Sequence, residues 1–99
     1  MQIIENWSEI KGIVRSLQPS PTVSGFMGAE LQVEKAKPVE GFPNLLVDWE
    51  GKALVVLIPE ELVKSLDIRT GDVIECRVRR ANLDRSFIHR NHLSVHHPK

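Results

Sequence analysis

The stretch Lys52-Ala53-Leu54-Val55-Val56-Leu57-Ile58-Pro59-Glu60-Glu61-Leu62-Val63-Lys64-Ser65-Leu66-Asp67-Ile68-Arg69-Thr70-Gly71-Asp72-Val73-Ile74-Glu75 decides the fold. Residues 52–58 are apolar on both faces, which predicts a central strand covered on one side by a helix or a neighbouring chain. Pro59 suits the first helical position, whose N–H is unpaired in any case. Glu60 and Glu61 stand where the helix dipole favours negative charge. The short helix 59–66 is expected to turn Leu62, Val63 and Leu66 to the core, with Asp67 closing it and Ile68 packing back beneath. Arg69-Thr70-Gly71-Asp72 makes a tight turn on Gly71. From Asp72 the period is two, with Ile74, Cys76 and Val78 alternating with Val73, Glu75, Arg77 and Arg79.

Working toward the N-terminus, Leu45–Trp49 is separated from Lys52–Ile58 by Glu50-Gly51, a spacing that predicts a β-hairpin. Pro38 to Asn44 is a loop by composition. Met27, Ala29, Leu31 and Val33 alternate with Gly28, Glu30, Gln32 and Glu34, a half-buried strand running toward Pro38. Pro19–Gly25 links it to an earlier segment. There Trp7, Ile10, Ile13, Val14 and Leu17 recur at steps of three and four, which predicts an amphipathic helix over residues 1–18. Asn6 followed by Glu9 resembles a capping box, and Gly12 costs such a helix about 1 kcal/mol. Toward the C-terminus, Ala81–Ser86 is a polar loop. Phe87–Val95 is a last strand, interrupted at Arg90-Asn91-His92.

The chain has 99 residues, 41% apolar and 26% charged. Those values suit one small core and are wrong for disorder or for a two-lobed enzyme. The expected organisation is a single domain, with an N-terminal helix at 1–18 and a small β body at 25–96. No apolar run approaches the ~20 residues of a membrane span, so no membrane association is expected. The first residues show no export signal, which makes a cytoplasmic, bacterial-type setting the expectation. A single cysteine, Cys76, forms no internal disulfide and matches no multi-thiolate metal pattern. Net charge is zero, yet residues 1–68 balance to −4 and residues 69–99 to +4, with all four histidines in the latter. Overall neutrality argues against strong non-specific nucleic-acid affinity, and the asymmetry leaves room for a local basic face.

Five strands with a helix between the third and fourth resemble the OB-fold, a small Greek-key barrel, across residues 25–96. That resemblance implies a mainly β, five-stranded barrel. It places Phe42 in the loop between strands one and two and Arg85 in the loop between strands four and five, the two loops that frame OB-fold ligands. A second, local resemblance runs from Ile58-Pro59 through Leu66-Asp67-Ile68 to Gly71-Asp72-Val73. It looks like the AbrB/MazE-type swapped-hairpin DNA-binding family and implies a dimeric regulator. Asp67 stands where that family has glycine, and Gly51 lies eight residues before Pro59, farther than the family's hairpin places it.

Candidate binding residues follow from charge and side-chain direction. Arg77 and Arg79, two apart on one strand, leave by the same face, and Arg90 on the next strand can stand beside them. Forked guanidinium donors suit phosphate. The competing account is a solvent face neutralised by Glu75, Asp84 and Asp48. Single-strand binding also needs stacking platforms. Phe42 and Trp49 are the aromatics available, with Trp7, Phe26 and Phe87 expected in packing roles, and Trp49 also reads as a half-buried barrel residue.

Metal binding has little in its favour. On an extended strand His92 and His96 share a face but lie about 13 Å apart, too far for one ion. His89 and His97 are expected on the other face. Cys76 falls in a core register. No serine sits in a nucleophile elbow.

These observations predict a non-enzymatic binding module with no cofactor and no metal. Its expected partner is single-stranded nucleic acid or a protein. Arg77, Arg79, Arg90, Arg85, Phe42 and Trp49 are the candidate nucleic-acid contacts. The alternatives are the swapped-hairpin regulator and an adaptor that docks a partner through the Trp7–Leu17 stripe. Oligomeric state stays open.

Overall fold

The computed structural model describes residues 6–81 and 85–98. Five strands, β1 (Ser8–Pro19), β2 (Phe26–Pro38), β3 (Ala53–Pro59), β4 (Val73–Arg80) and β5 (Ser86–His96), form one closed sheet in the ring order β1-β2-β3-β5-β4. Helix α1 (Glu60–Ser65) joins β3 to β4. All neighbours are antiparallel except β3 and β5, which run parallel and pair at Leu57 and Phe87. Among the described residues no helix is long and apolar enough to cross a membrane.

Where a helix is expected over residues 1–18, the chain is a strand from Ser8 onward, after an irregular Asn6 and Trp7; residues 1–5 of that expected helix lie outside the described residues. In β1 the buried positions are Ser8, Ile10, Gly12 and Val14, while Glu9, Lys11 and Arg15 face solvent and Ile13 is half-buried. Two of the inward positions are Ser and Gly, and Trp7 and Ile13 lie at outward ones. Counting apolar residues therefore hides a period of two and mimics a period of 3.6. Ladders on both sides, to β2 and to β4, supply the tertiary pairing that overrides the local pattern. The apolar stripe is thus part of the sheet, and no N-terminal amphipathic helix is seen among the described residues.

The predicted hairpin at Glu50-Gly51 is absent. Val47–Trp49 is one turn of 3-10 helix, and residues 39–52 form a long connection tied to other elements. Asn44 organises it. Its Oδ1 accepts from the buried Ser8 hydroxyl and, at 3.1 Å, from the Leu46 N–H. Its Nδ2 donates to the Ala36 carbonyl at 3.4 Å. Glu50 accepts from the Ala36 N–H at 2.9 Å, standing in for a missing strand partner. Gly51 (φ +81°) donates to the Val33 carbonyl at 2.8 Å, and Val33 donates to the Lys52 carbonyl at 2.9 Å. Leu46, fully buried, fills the core beneath this loop. One strand was hidden and one was supernumerary, so the expected count of five survives with shifted identities.

The core gathers Ile10, Val14, Leu31, Val56, Ile74 and Val78 inside the ring, with Val63 of α1 and Ile68 packed against them. Pro59 is the cap residue before α1, one position earlier than expected, and the Gly25 carbonyl accepts the Glu60 N–H at 2.9 Å. Val63 carries the buried face and Leu62 packs partly, but Leu66 is 37% exposed, against expectation. Asp67 takes a left-handed conformation (φ +52°), and Ile68 donates back to the Val63 carbonyl at 3.0 Å, closing the helix as anticipated. The segment Ile58–Glu75 is strand, helix, turn and strand within one ring, and β3 and β4 both have neighbours from the same chain.

Candidate functional site

Arg77, Arg79 and Arg90 are expected on one face. The outward side of β4 does carry Glu75, Arg77 and Arg79, because Ile74, Cys76 and Val78 alternate into the core. Arg90 does not join them. Opposite Cys76 and Val78, which span three β4 positions, β5 runs from Leu93 back to Ile88. The extra residues form a bulge at His89–His92, and a bulge re-aims the side chains it carries. Arg90 pairs with Glu61 on α1 instead. Arg77 is also engaged, its Nε donating to Glu9 on β1 at 3.4 Å.

Arg79 and Arg85 are different. Among the described residues neither makes an ion pair with a carboxylate. Asp84, one of the proposed neutralising groups, lies outside the described residues. Arg79 stands directly across from Phe87 on β5, which in turn neighbours Leu57 on β3. Phe87 and Phe26, expected in the core, are half-buried and outside the core cluster. Their rings meet edge to face at 5.6 Å. Ser86 and Ile88 occupy the buried positions on either side of Phe87, so Phe87 faces outward.

Arg85 lines a hollow of about 280 Å³ with the β1–β2 connection (Pro19–Thr22) and the outward positions Gly28, Glu30, Val55 and Leu57. Gly28 lets the two strands lie open there, since a Cβ at that position would reach the Val55 side chain at 3.4 Å. Val55, 53% exposed, is an apolar floor open to solvent. Glu30 is the one carboxylate among the lining residues.

Phe42 and Trp49 do not belong to this hollow. Phe42 lies in the β2–β3 connection, because the true first strand precedes the one the sequence suggested. It is exposed and lines neither this hollow nor the one described below. Trp49 packs partly on the core, and the Arg80 guanidinium sits 5.3 Å from its ring centroid. It is half-buried, as its pattern allowed, but it stands in the 3-10 turn of the β2–β3 connection and in no strand of the ring.

The histidines are arranged by the bulge, not by strand alternation. The His89 and His92 rings, expected on opposite faces, touch at 4.6 Å, and His89 also meets Trp7 at 5.1 Å. His97 Nδ1 lies 2.8 Å from the Asp72 carboxylate, which tethers the tail to the turn before β4. Among the described residues no three His, Cys, Asp or Glu side chains gather as a metal site. Cys76 is sealed in the core, and burial pushes its thiol up to about 12.

Aromatic Phe26 and Phe87 are the functional candidates that sequence reading assigned to the core. Their neighbours held the signal, since Ser86 and Ile88 take the core register and leave Phe87 on the outer side. No family model matches the chain, and no curated protein matches it either.

Proposed function

We propose that this protein is a non-enzymatic binding module that holds single-stranded nucleic acid on the outer face of β2, β3 and β5. The ring order, with a helix between β3 and β4, resembles an OB-fold, whose ligands lie on the second and third strands between the first and fourth connections. The observation that carries the proposal is the hollow framed by Pro19–Thr22, Val55 and Arg85, from whose lining residue Leu57 the row continues outward to Phe87 on β5 and then to Arg79 on β4. Single-strand recognition combines cations that track phosphates with apolar and aromatic surface on which bases rest. Arg79 and Arg85 supply the first, and Phe87, Phe26 and Val55 the second. Arg77 and Arg90, each already facing a carboxylate, take no part on this face.

Fluorescence anisotropy with a labelled single strand and a matching duplex tests this. Binding to the single strand is expected at about 50 mM salt and should weaken steeply toward about 200 mM. Arg79→Ala with Arg85→Ala should lower the salt slope by about 1.4, at about 0.7 per phosphate contact. No binding at low salt, or binding indifferent to the double substitution, refutes the proposal.

A further inference from the structure

A second hollow, of about 400 Å³, opens on the outer side of β1, β4 and the far half of β2, and shares no lining residue with the first. Its floor is a grid of charges set by strand register. Glu9 lies between Lys37 on β2 and Arg77 on β4. One step along, Lys11 lies between Lys35 and Glu75. Glu9 engages Arg77, and Glu75 stands 4.0 Å from Lys11. Lys35 and Lys37 have no ion pair among the described residues, so the grid carries two positive charges beyond its carboxylates. Lys35 directly opposes Lys11, and like charges directly opposite each other destabilise a sheet, so an anion drawn to the two ammonium groups relieves a repulsion.

The bulge in β5 builds one wall of this hollow with Asn91, His92 and Ser94. From His92 a ladder of rings leads away, His92 to His89 to Trp7. Partial desolvation, with Arg77 and His89 nearby, holds His92 below its ordinary range against the opposing pull of Glu9. The His92 and His89 rings meet edge to face and the His89 and Trp7 rings are tilted. Cations beside aromatic rings are the two components that single-strand binding needs.

We infer that this second hollow takes phosphates of the same single-stranded ligand, so that a longer strand engages both sides of the ring. The inference rests on the function proposed above and extends it from one face to two. It predicts that binding of a long strand, and not of a short one, depends on Lys35 and Lys37.

The test uses oligothymidylates of about 4 and about 16 nucleotides, the limits of site size for folds of this kind. Wild type should bind the longer one more tightly. Lys35→Gln with Lys37→Gln should weaken the longer one about tenfold, as expected for loss of charge-assisted contacts, and reduce its salt slope by about 1.4. The shorter one should be unaffected. Both lysines are exposed, and the charge-reversed pair Lys35→Glu with Lys37→Glu should weaken the longer strand further. In a Trp49→Phe background Trp7 is the only tryptophan, and its fluorescence should change with the longer strand alone.

Equal effects on both lengths, or none on either, overturn the two-sided path while leaving the first face intact. Failure of wild type to bind either length removes the proposed function and this extension together.

Discussion

Gly12 offers the sharpest test of the fold, because strand and helix predict opposite signs for the same substitution. In β1 the register slips between Lys11 and Gly12. A Cβ on Gly12 would lie 2.9 Å from the Gln32 carbonyl oxygen and 3.3 Å from the Leu31 Cβ. Ordinary contact begins at 3.4 Å, so β1 or β2 must yield by about 0.5 Å. The obstructing atom is backbone in a paired strand and cannot rotate away. Overpacking of this kind costs about 1–3 kcal/mol. Loss of glycine freedom in the unfolded chain returns about 0.4–1 kcal/mol. The difference spans about 0–2.6 kcal/mol, and Gly12→Ala should therefore destabilise the protein by about 1.3 kcal/mol at the midpoints. In a helix the same change would stabilise it by about 1 kcal/mol. Equilibrium urea unfolding should show a lower midpoint with an unchanged slope. Thermal unfolding should drop by about 4–8 °C per kcal/mol. A midpoint equal to or above that of wild type would refute the strand assignment and the closure that depends on it.

Other perturbations probe separate parts of the ring. Asn44→Ala strands the buried Ser8 hydroxyl and frees the loop beneath which Leu46 packs. It should cost about 1–3 kcal/mol in urea unfolding, whereas a mere surface loop would tolerate it. Leu46→Ala, at a fully buried site, should cost about 2–5 kcal/mol. Cys76 has its thiol raised from 9.0 to about 12 by burial. Its neutral form is favoured in the folded state, so its contribution is complete below pH 9 and is lost as pH rises toward 12. Cys76→Ala should flatten that alkaline decline in stability, and reaction of the wild-type thiol with a disulfide reagent should track global unfolding. Removing residues 1–20 deletes the strand that pairs with both β2 and β4. The remainder should show no cooperative unfolding transition.

Where β2, α1, β4 and β5 lie could be anticipated from residue order alone. Their inward positions are apolar almost without exception, so the period of two stands out, and Pro59, Asp67 and Gly71 punctuate the turns. β1 could not, because Ser8 and Gly12 face inward while Trp7 and Ile13 do not. Leu45–Trp49 misled in the reverse direction. Its apolar residues serve as a plug and an exposed rim, its backbone bonds stay local (Trp49 N–H to the Leu46 carbonyl, Lys52 N–H to the Trp49 carbonyl), and only the following Glu50, Gly51 and Lys52 reach β2.

The candidate site was legible in part. Arg79 and Arg85 follow from strand alternation and loop position, and both stand without a carboxylate among the described residues. Arg90 left the expected face because a bulge changes direction without changing composition. Phe26 and Phe87 looked like core because apolar rings carry no mark of which side they take.

Local chemistry, then, determined the class of structure, the turns and the alternation within each strand, since these depend on neighbours a few residues apart. Tertiary structure decided which strands are adjacent, where β5 bulges, and hence which arginines meet carboxylates. Those outcomes depend on pairings between residues far apart in the chain, such as Glu9 with Arg77 and Arg90 with Glu61, and no local pattern encodes such a pairing.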